Sequence, residues 1–269
     1  MKLIKGEIVS NDKMGDNVYR MTVFSPYIVK HCIPGQFINI KCSENDIYDP
    51  LLRRPFSIFD VEEEFNVFSI LYLLKGKGTR YMKSLEAGDI IDFLGPLGNG
   101  IKINEDKLKK NYLLVGGGIG VAPLFYLSKY LNLKKSNILL VAGFKDNNFM
   151  FFEKMLQTFK INYRIYSENG TYGERGIVTD YIHNHINEYG DFDIYCCGPV
   201  EMLKELKILF KKGNAEDNTY ALFEEIMACG IGVCKGCAIK IAETDGSNNT
   251  YKTVCKDGPL FKLKDVIFE

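Results

Sequence analysis

The chain has 269 residues, 46% hydrophobic and 25% charged, which is the profile of a soluble globular protein with room for two compact domains and a small appendage. Lys+Arg and Asp+Glu balance at 34 each, so the basic bias of a nucleic-acid or anionic-membrane binder is excluded. Met1-Lys-Leu-Ile-Lys-Gly-Glu has no apolar signal region, and the longest apolar stretch, around Val67–Leu74, is too short to span a bilayer; a cytoplasmic location is expected, with eight reduced cysteines.

From Lys2 to about Ile101 the chain reads as short strands punctuated by turns. The strands are Val18–Phe24, Gln36–Lys41, Phe56–Phe59, Phe65–Leu74 and Asp89–Phe93. Turn signals at Asp12–Asn17, Ile33-Pro-Gly, Glu62–Glu64 and Ala87-Gly-Asp separate them, which predicts an antiparallel barrel. Two spots break the pattern. In Leu52-Arg-Arg-Pro-Phe-Ser57, two arginines precede a strand; the guanidinium fork pairs with phosphate oxygens, and Ser57 lies one strand step on. In Lys75-Gly-Lys-Gly-Thr79, a strand gives way to a helical segment over Arg80–Leu85, whose N-terminus and loop amides suit an anion. Taken singly, these are equally well a solvated arginine pair and an ordinary turn. Together, on a barrel, they favour a flavin dinucleotide.

Gly95-Pro-Leu-Gly-Asn-Gly100 marks a junction. Beyond it, strands Tyr112–Val115, Asn137–Phe144, Tyr163–Ser167 and Asp193–Cys197 alternate with helices, the pattern of a parallel sheet. The first helix carries Leu124, Leu127, Ser128 and Leu131 on one face and Pro123 in its first turn; the others are Phe151–Phe159, Val178–Ile186 and Val200–Lys211. Gly116-Gly-Gly-Ile-Gly120 offers amides and a helix N-terminus to a pyrophosphate, though Val121 occupies the third glycine position of the dinucleotide fingerprint. Cys196-Cys-Gly-Pro199 ends the last of these strands; Cys196 and Cys197 face opposite sides of the sheet. Asp146, after the second strand, favours NAD over NADP. His31 is placed in a loop, and His183 and His185, two apart on a helix, make a poor metal pair; all three read as structural or solvated.

The tail holds the most specific pattern. Cys229-Gly-Ile-Gly-Val-Cys234-Lys-Gly-Cys237 spaces cysteines as C-x4-C-x2-C, and Cys255 follows seventeen residues later. The close trio matches plant-type [2Fe–2S] ligation. Gly230, Gly232 and Gly236 are expected to take positive φ and bring N–H groups to the sulfurs. A zinc knuckle also uses four cysteines, but more often as two C-x2-C pairs. Ala238–Ala242 and Tyr251–Val254 read as strands joined by a turn at Asp245–Asn249, which returns the chain to Cys255. Leu260–Phe268 then packs the terminus. Cys32, Cys42 and Cys196 read as buried small hydrophobes.

The first segment resembles the flavin domain of the ferredoxin–NADP⁺ reductase superfamily, whose hallmark is Arg-x-(Tyr)-Ser on a barrel strand. Phe56 stands where many members have tyrosine. The resemblance implies that Arg54, Pro55, Phe56 and Ser57 contact FAD, that Leu71, Tyr72 and Leu73 line it, and that Gly78 and Thr79 bind its pyrophosphate. It also implies NAD binding at Gly116, Gly117, Gly118, Gly120, Cys197, Gly198 and Pro199, with Cys197 where nicotinamide meets flavin. The expected architecture is multidomain: a flavin barrel over residues 1–101, a parallel α/β nicotinamide domain over 102–222 and a [2Fe–2S] domain over 223–269.

These modules use the whole chain and leave no acid–base set for an organic substrate. Nicotinamide exchanges hydride and the cluster single electrons; flavin does both and belongs between them. The layout, with Met-Ala-Cys-Gly-Ile-Gly-x-Cys-x-Gly-Cys and a later Val-Cys-Lys-Asp-Gly-Pro, resembles the electron transfer subunits of NAD-dependent (class 1B) dihydroorotate dehydrogenases over nearly the full length. That implies Cys229, Cys234, Cys237 and Cys255 as cluster ligands, and an FMN-containing catalytic subunit as partner in a heterotetramer of two plus two. It further implies electron flow from dihydroorotate to NAD⁺, with orotate made for pyrimidine synthesis. A reductase subunit serving ferredoxin, a hydrogenase or a sulfur-reducing partner would share these motifs. A zinc-bearing redox-sensing module is the alternative of another class.

Overall fold

The computed structural model describes residues 1–44, 47, 49–103, 111–242 and 249–268. Strands β1 (Lys2–Lys13), β2 (Val18–Phe24), β3 (Phe37–Ile40), β4 (Arg54–Glu62), β5 (Val67–Leu73) and β6 (Ile90–Leu97) close an antiparallel barrel in the order β1-β2-β5-β4-β3-β6. Inward side chains of period two fill it, among them Ile8, Met21, Val23, Ile38, Ile40, Ile58, Phe68, Ile70 and Phe93. Two short helices, α1 (Pro26–His31) and α2 (Lys77–Ser84), lie between strands.

The strand list read from sequence lacked β1, the longest. Its residues are mostly polar and exposed, and Gly6 looks like a breaker. Gly6 instead admits its neighbours: a Cβ there would stand 2.6 Å from Val23 Cγ1 and 2.9 Å from Phe93 Cε1. Helix α1 was also unforeseen; Ser25 caps it, and His31 sits in its last turn rather than in a loop, with Nδ1 2.8 Å from the Tyr27 carbonyl oxygen.

The second layer comprises β7 (Asn111–Gly117), α3 (Val121–Leu133), β8 (Asn137–Phe144), α4 (Met150–Thr158), β9 (Asn162–Ser167), β10 (Glu174–Arg175), α5 (Val178–His185), β11 (Asp193–Cys197), α6 (Val200–Lys212) and β12 (Thr219–Leu222). They form a parallel sheet covered on both faces, as continuous apolar strands require. Leu113, Val115, Ile194 and Cys196 pack with α5 and α6 residues Ile182, Leu203 and Leu206. Tyr112, Leu114, Tyr195 and Cys197 pack with α3 and α4 residues Leu124, Leu127, Phe152 and Leu156. Cys196 and Cys197 therefore face opposite sides, as alternation dictates.

Barrel and sheet meet along α3. Phe59 stacks on Phe125 with ring centroids 4.7 Å apart, and Lys129 Nζ reaches Asp60 Oδ1 at 2.7 Å. Burial raises the Asp60 carboxyl, while the hydrogen bond from Lys129 opposes that shift.

The tail adds β13 (Ala238–Ala242), β14 (Asn249–Thr253), β15 (Leu260–Lys262) and β16 (Val266–Ile267). The turn anticipated at Asp245–Asn249 lies, apart from Asn249, outside the described residues. The tail is no appendage. Strand β15 extends the large sheet antiparallel to β12, pairing Leu260 with Leu222. Cys237, Ile239, Val254 and Cys255 share one apolar core with Phe37 and Leu97 of the barrel and Ile194 of the sheet. Asn99 N donates to the Gly258 carbonyl at 2.7 Å, tying the barrel exit to the tail.

Candidate functional site

A cavity of about 370 Å³ opens on the barrel's outer wall. Arg54, Pro55, Phe56, Ser57, Leu71, Tyr72, Leu73, Gly78 and Thr79 all line it. Three chain segments bring them together: the start of β4, the end of β5 and the first turn of α2.

The two arginines divide their labour. Arg53 is bound to β6, its Nη2 2.7 Å from Asp92 Oδ1 and its Nη1 3.0 Å from the Asp92 carbonyl oxygen. Arg54 turns to the cavity, with Nη1 donating to the Leu52 carbonyl at 2.7 Å. Thr79 Oγ1 accepts from Lys75 N at 2.9 Å and Gly76 N at 3.1 Å, which fixes the glycine turn. Gly78 packs closely on β3's exit: a Cβ there would come to 3.0 Å from Cys42 Cβ, a tight contact. Tyr72 donates to Asn11 Oδ1 at 2.9 Å, and Asn11 Nδ2 donates to the carbonyls of Met82 and Leu85 at 2.8 Å each. The flat wall this creates includes Phe56, edge-on to Tyr72 at 6.2 Å. Burial raises the Tyr72 phenol, which stays protonated.

A second cavity, of about 630 Å³, shares Arg54, Pro55, Ser57, Lys75 and Glu224 with the first. It continues to Cys197 at the end of β11 and to Ile226 and Met227 before the cysteine loop. Glu224 was passed over in the sequence. Solvent reaches it along the cavities, yet protein encloses its other sides; this desolvation raises its carboxyl, and Lys75 partly offsets the rise. The available signal was position, for Glu224 lies two residues beyond the end of β12, and parallel strands present ligand sites at their carboxyl ends. Burial, then the charges of Glu224 and Cys196, push the Cys197 thiol well up, so it is a neutral thiol rather than a nucleophile.

A third cavity, also about 630 Å³, lies on the sheet's carboxyl edge. Gly117, Gly118 and Pro199 line it, with Lys145, Glu168, Asp180, His183, Met202 and Glu205. Gly118 takes φ +54° and faces open space. The other glycines serve close packing. A Cβ on Gly120 would lie 2.4 Å from the Cys197 carbonyl oxygen, one on Gly116 2.8 Å from Val121, and one on Gly198 2.5 Å from Met202. Asp146 does not line the cavity: its carboxylate accepts from Asn148 N at 3.0 Å and caps a turn. Glu168 is an acidic residue that does line it.

The cysteine loop folds around its own sulfurs. Cys229 Sγ accepts from Ile231 N and Cys234 N at 3.4 Å each, and Cys255 Sγ accepts from Gly232 N at 3.1 Å. Gly236 N reaches Cys234 Sγ and Cys255 N reaches Cys237 Sγ, both at 3.5 Å. Gly230 and Gly232 have φ of 71° and 82°; Gly236 does not adopt positive φ, and Lys235 takes that conformation with φ 60°. The side chains interact as two pairs, Cys229 with Cys234 and Cys237 with Cys255. Two pairs of thiols in a cradle of N–H donors suit two bridged irons. Burial works to raise the Cys229 thiol, but the N–H groups of Cys234 and Ile231 outweigh it and bring it down to about 6. Burial and the adjacent Cys237 push Cys255 up to about 12, a cost that bound metal removes.

Comparison with known proteins bears on all three regions. Residues 224–267 match the family described as iron-sulfur cluster binding domain of dihydroorotate dehydrogenase B, and residues 114–207 match the oxidoreductase NAD-binding domain. The dihydroorotate dehydrogenase B (NAD(+)) electron transfer subunit of Bacillus cereus (strain G9842) is 39% identical over 262 residues, covering 97% of this chain and 96% of the relative. This chain belongs to that family. The corresponding subunit of Bacillus anthracis (strain CDC 684 / NRRL 3495) is 38% identical over the same span. Among solved structures, an NADH-dependent reduced ferredoxin-NADP oxidoreductase superposes with TM-score 0.83 at 28% identity, over 97% of this chain and 89% of that one. The ferredoxin-NADP+ reductase of Plasmodium falciparum shares the fold, with TM-score 0.64 at 19% identity, over 81% of this chain and 95% of its own. The chain is therefore an oxidoreductase subunit whose family and fold carry an iron–sulfur cluster, NAD and FAD. Among the described residues no helix is long and apolar enough to cross a membrane.

Proposed function

We propose that this chain passes electrons from dihydroorotate to NAD⁺, receiving them from the FMN of a separate catalytic subunit and relaying them through a [2Fe–2S] cluster and FAD. Orotate for de novo pyrimidine biosynthesis, on the way to UMP, is then the product of the assembly. The observation that carries this reading is the continuity of the site. Ser57 of the barrel, Cys197 of the sheet and Met227 beside the cysteine loop line one cavity, and this adjacency of the three regions supports a relay among their cofactors.

In this reading residues 1–101 hold FAD, 102–222 hold NAD and 223–269 hold the cluster on Cys229, Cys234, Cys237 and Cys255. Arg54, Gly78 and Thr79 bind the FAD phosphates through a guanidinium and a helix N-terminus, and Pro55, Phe56, Ser57, Leu71, Tyr72 and Leu73 hold the ring system. Gly117, Gly118 and Pro199 seat NAD, while Gly116, Gly120 and Gly198 hold the turn in shape beside them. Cys197 and Glu224 flank the place where nicotinamide meets flavin. Glu168, Asp180 and Glu205 make the NAD cavity acidic, which disfavours a 2′-phosphate and supports NAD over NADP. FAD, when bound, supplies the exchange between hydride and single electrons.

The catalytic partner docks where apolar side chains surround the cysteine loop. Ile226 is 83% exposed and Val233 75%, and Ile231 lies beside them. An assembly of two chains of each kind in the cytoplasm completes the proposal. The test is reconstitution with an FMN-containing dihydroorotate-oxidising subunit, measuring dihydroorotate-dependent NADH formation. Formation of NADH supports the reading. Reduction of NAD⁺ by reduced ferredoxin alone would replace it with the reductase reading, which the 28% identical ferredoxin-NADP oxidoreductase structure favours.

A further inference from the structure

Strand β3 contains one residue that its surroundings do not explain. Ile38 and Ile40 point into the barrel, and Phe37 and Asn39 point outward toward the tail. Phe37 packs into the apolar core there, whereas Asn39, also fully buried at 0% exposure, brings an amide. Neither Nδ2 nor Oδ1 of Asn39 has a hydrogen-bond partner among the described residues. A buried amide without partners is costly, and an apolar residue of the same size would fill the place better. The amide is thus poised for something that arrives later.

Its location says what. A Cβ on Gly230 would stand 3.0 Å from Asn39 Nδ2, so the amide abuts the cysteine loop at the residue after Cys229. Every other donor in that cradle is backbone: the N–H groups of Ile231, Gly232, Cys234, Gly236 and Cys255. Asn39 adds a side-chain donor from the barrel side. Opposite it on β4 is Pro55, which lines both of the first two cavities. Asn39 therefore stands in the wall between the flavin cavity and the cysteine loop.

We infer that the Asn39 amide donates a hydrogen bond to a sulfur of the iron–sulfur site and tunes its potential. The inference rests on the assignment of Cys229, Cys234, Cys237 and Cys255 as cluster ligands. Of the two amide ends, electron-rich sulfur selects the NH₂. A donor there stabilises the additional negative charge of the reduced site more than the oxidised one, which raises its reduction potential. Asn39 is a positioning and tuning residue; it exchanges no electrons.

The experiment uses the full chain, isolated with its cofactors, as wild type, Asn39→Leu and Asn39→Ala. Iron and acid-labile sulfide content, the electron paramagnetic resonance of the reduced cluster and separate redox titrations of cluster and flavin are measured. The expected result is undiminished iron and sulfide, a changed resonance and a cluster potential below that of wild type, with the flavin potential unmoved. An unchanged cluster potential at full iron content would overturn the inference, as would equal shifts in cluster and flavin. If Asn39→Leu does not fold, Asn39→Ala decides, because it adds no bulk. Absence of iron and sulfide from the wild type would instead defeat the cluster assignment itself, so the two failures are distinguishable.

Discussion

Ser57 on β4 and Cys197 at the end of β11 line one cavity, although they lie in different layers of the fold and far apart in sequence. Neither is ionised or acts alone. Their relationship is spatial: a hydroxyl from the barrel and a neutral thiol from the sheet border the same cavity. Glu224 borders it from the start of the tail.

Arg54 is the guanidinium facing the flavin cavity, since Arg53 is engaged with Asp92. A charge-assisted hydrogen bond to phosphate is worth roughly 1.5–3 kcal/mol. Arg54→Ala should therefore bind FAD roughly 10- to 100-fold more weakly. Flavin retained per chain after dialysis measures this, and undiminished retention would contradict a phosphate role for Arg54.

Cys234 is exposed, whereas Cys237 and Cys255 are buried, so its replacement disturbs the cluster without disturbing the core. Cys234→Ser should lose iron and sulfide yet leave reduction of the flavin by NADH intact. Stopped-flow absorbance of the flavin band reads the second half. If flavin reduction by NADH vanished as well, the modular order of cofactors would be wrong.

Gly120 has ordinary helical φ, so its need for glycine is purely steric. An added methyl would meet the Cys197 carbonyl oxygen at 2.4 Å, and backbone on both sides must give way. Gly120→Ala should cost about 1–3 kcal/mol of stability. It should also raise KM for NADH, because the turn and the strand end move apart. A melting curve and a steady-state assay with a dye acceptor check the two effects.

Glu224 has its carboxyl raised by desolvation, with Lys75 opposing. The folded chain thus holds that proton more tightly than the unfolded chain does. Its contribution to stability is complete below the ordinary glutamic range and is lost as pH rises through the folded value. Glu224→Gln keeps the shape and removes the titration. The variant's melting temperature should gain on the wild type's as pH rises above the ordinary glutamic range, about pH 4. Parallel curves over that range would show that Glu224 does not titrate abnormally.

What could be read without coordinates was whatever is local in sequence. Cys229, Cys234 and Cys237 lie within one loop, so spacing alone declares their chemistry, and Arg54 to Ser57 occupy one strand start. The alternation of β7 to α6 shows through because the central strands β7, β8 and β11 are largely apolar and buried and the helices repeat every three to four residues. Tertiary structure decided the rest. Strand β1 is held by its ladders with β2 and β6, and Gly6 lets Val23 and Phe93 pack against it. Strand β15 forms on the edge that β12, itself paired with β11, offers it, and neither is long enough to announce itself. Asp146 became a turn cap and Glu224 a cavity wall, outcomes that hang on which neighbours folding delivers. Asn39 is the sharpest case. Its type is unremarked in a strand of four, and only burial beside Gly230 makes an unpaired amide costly. Sequence determined which ligands and anchors exist, because those are set by residue type and short spacing; the fold decided which of them meet, because meeting is a property of long-range packing.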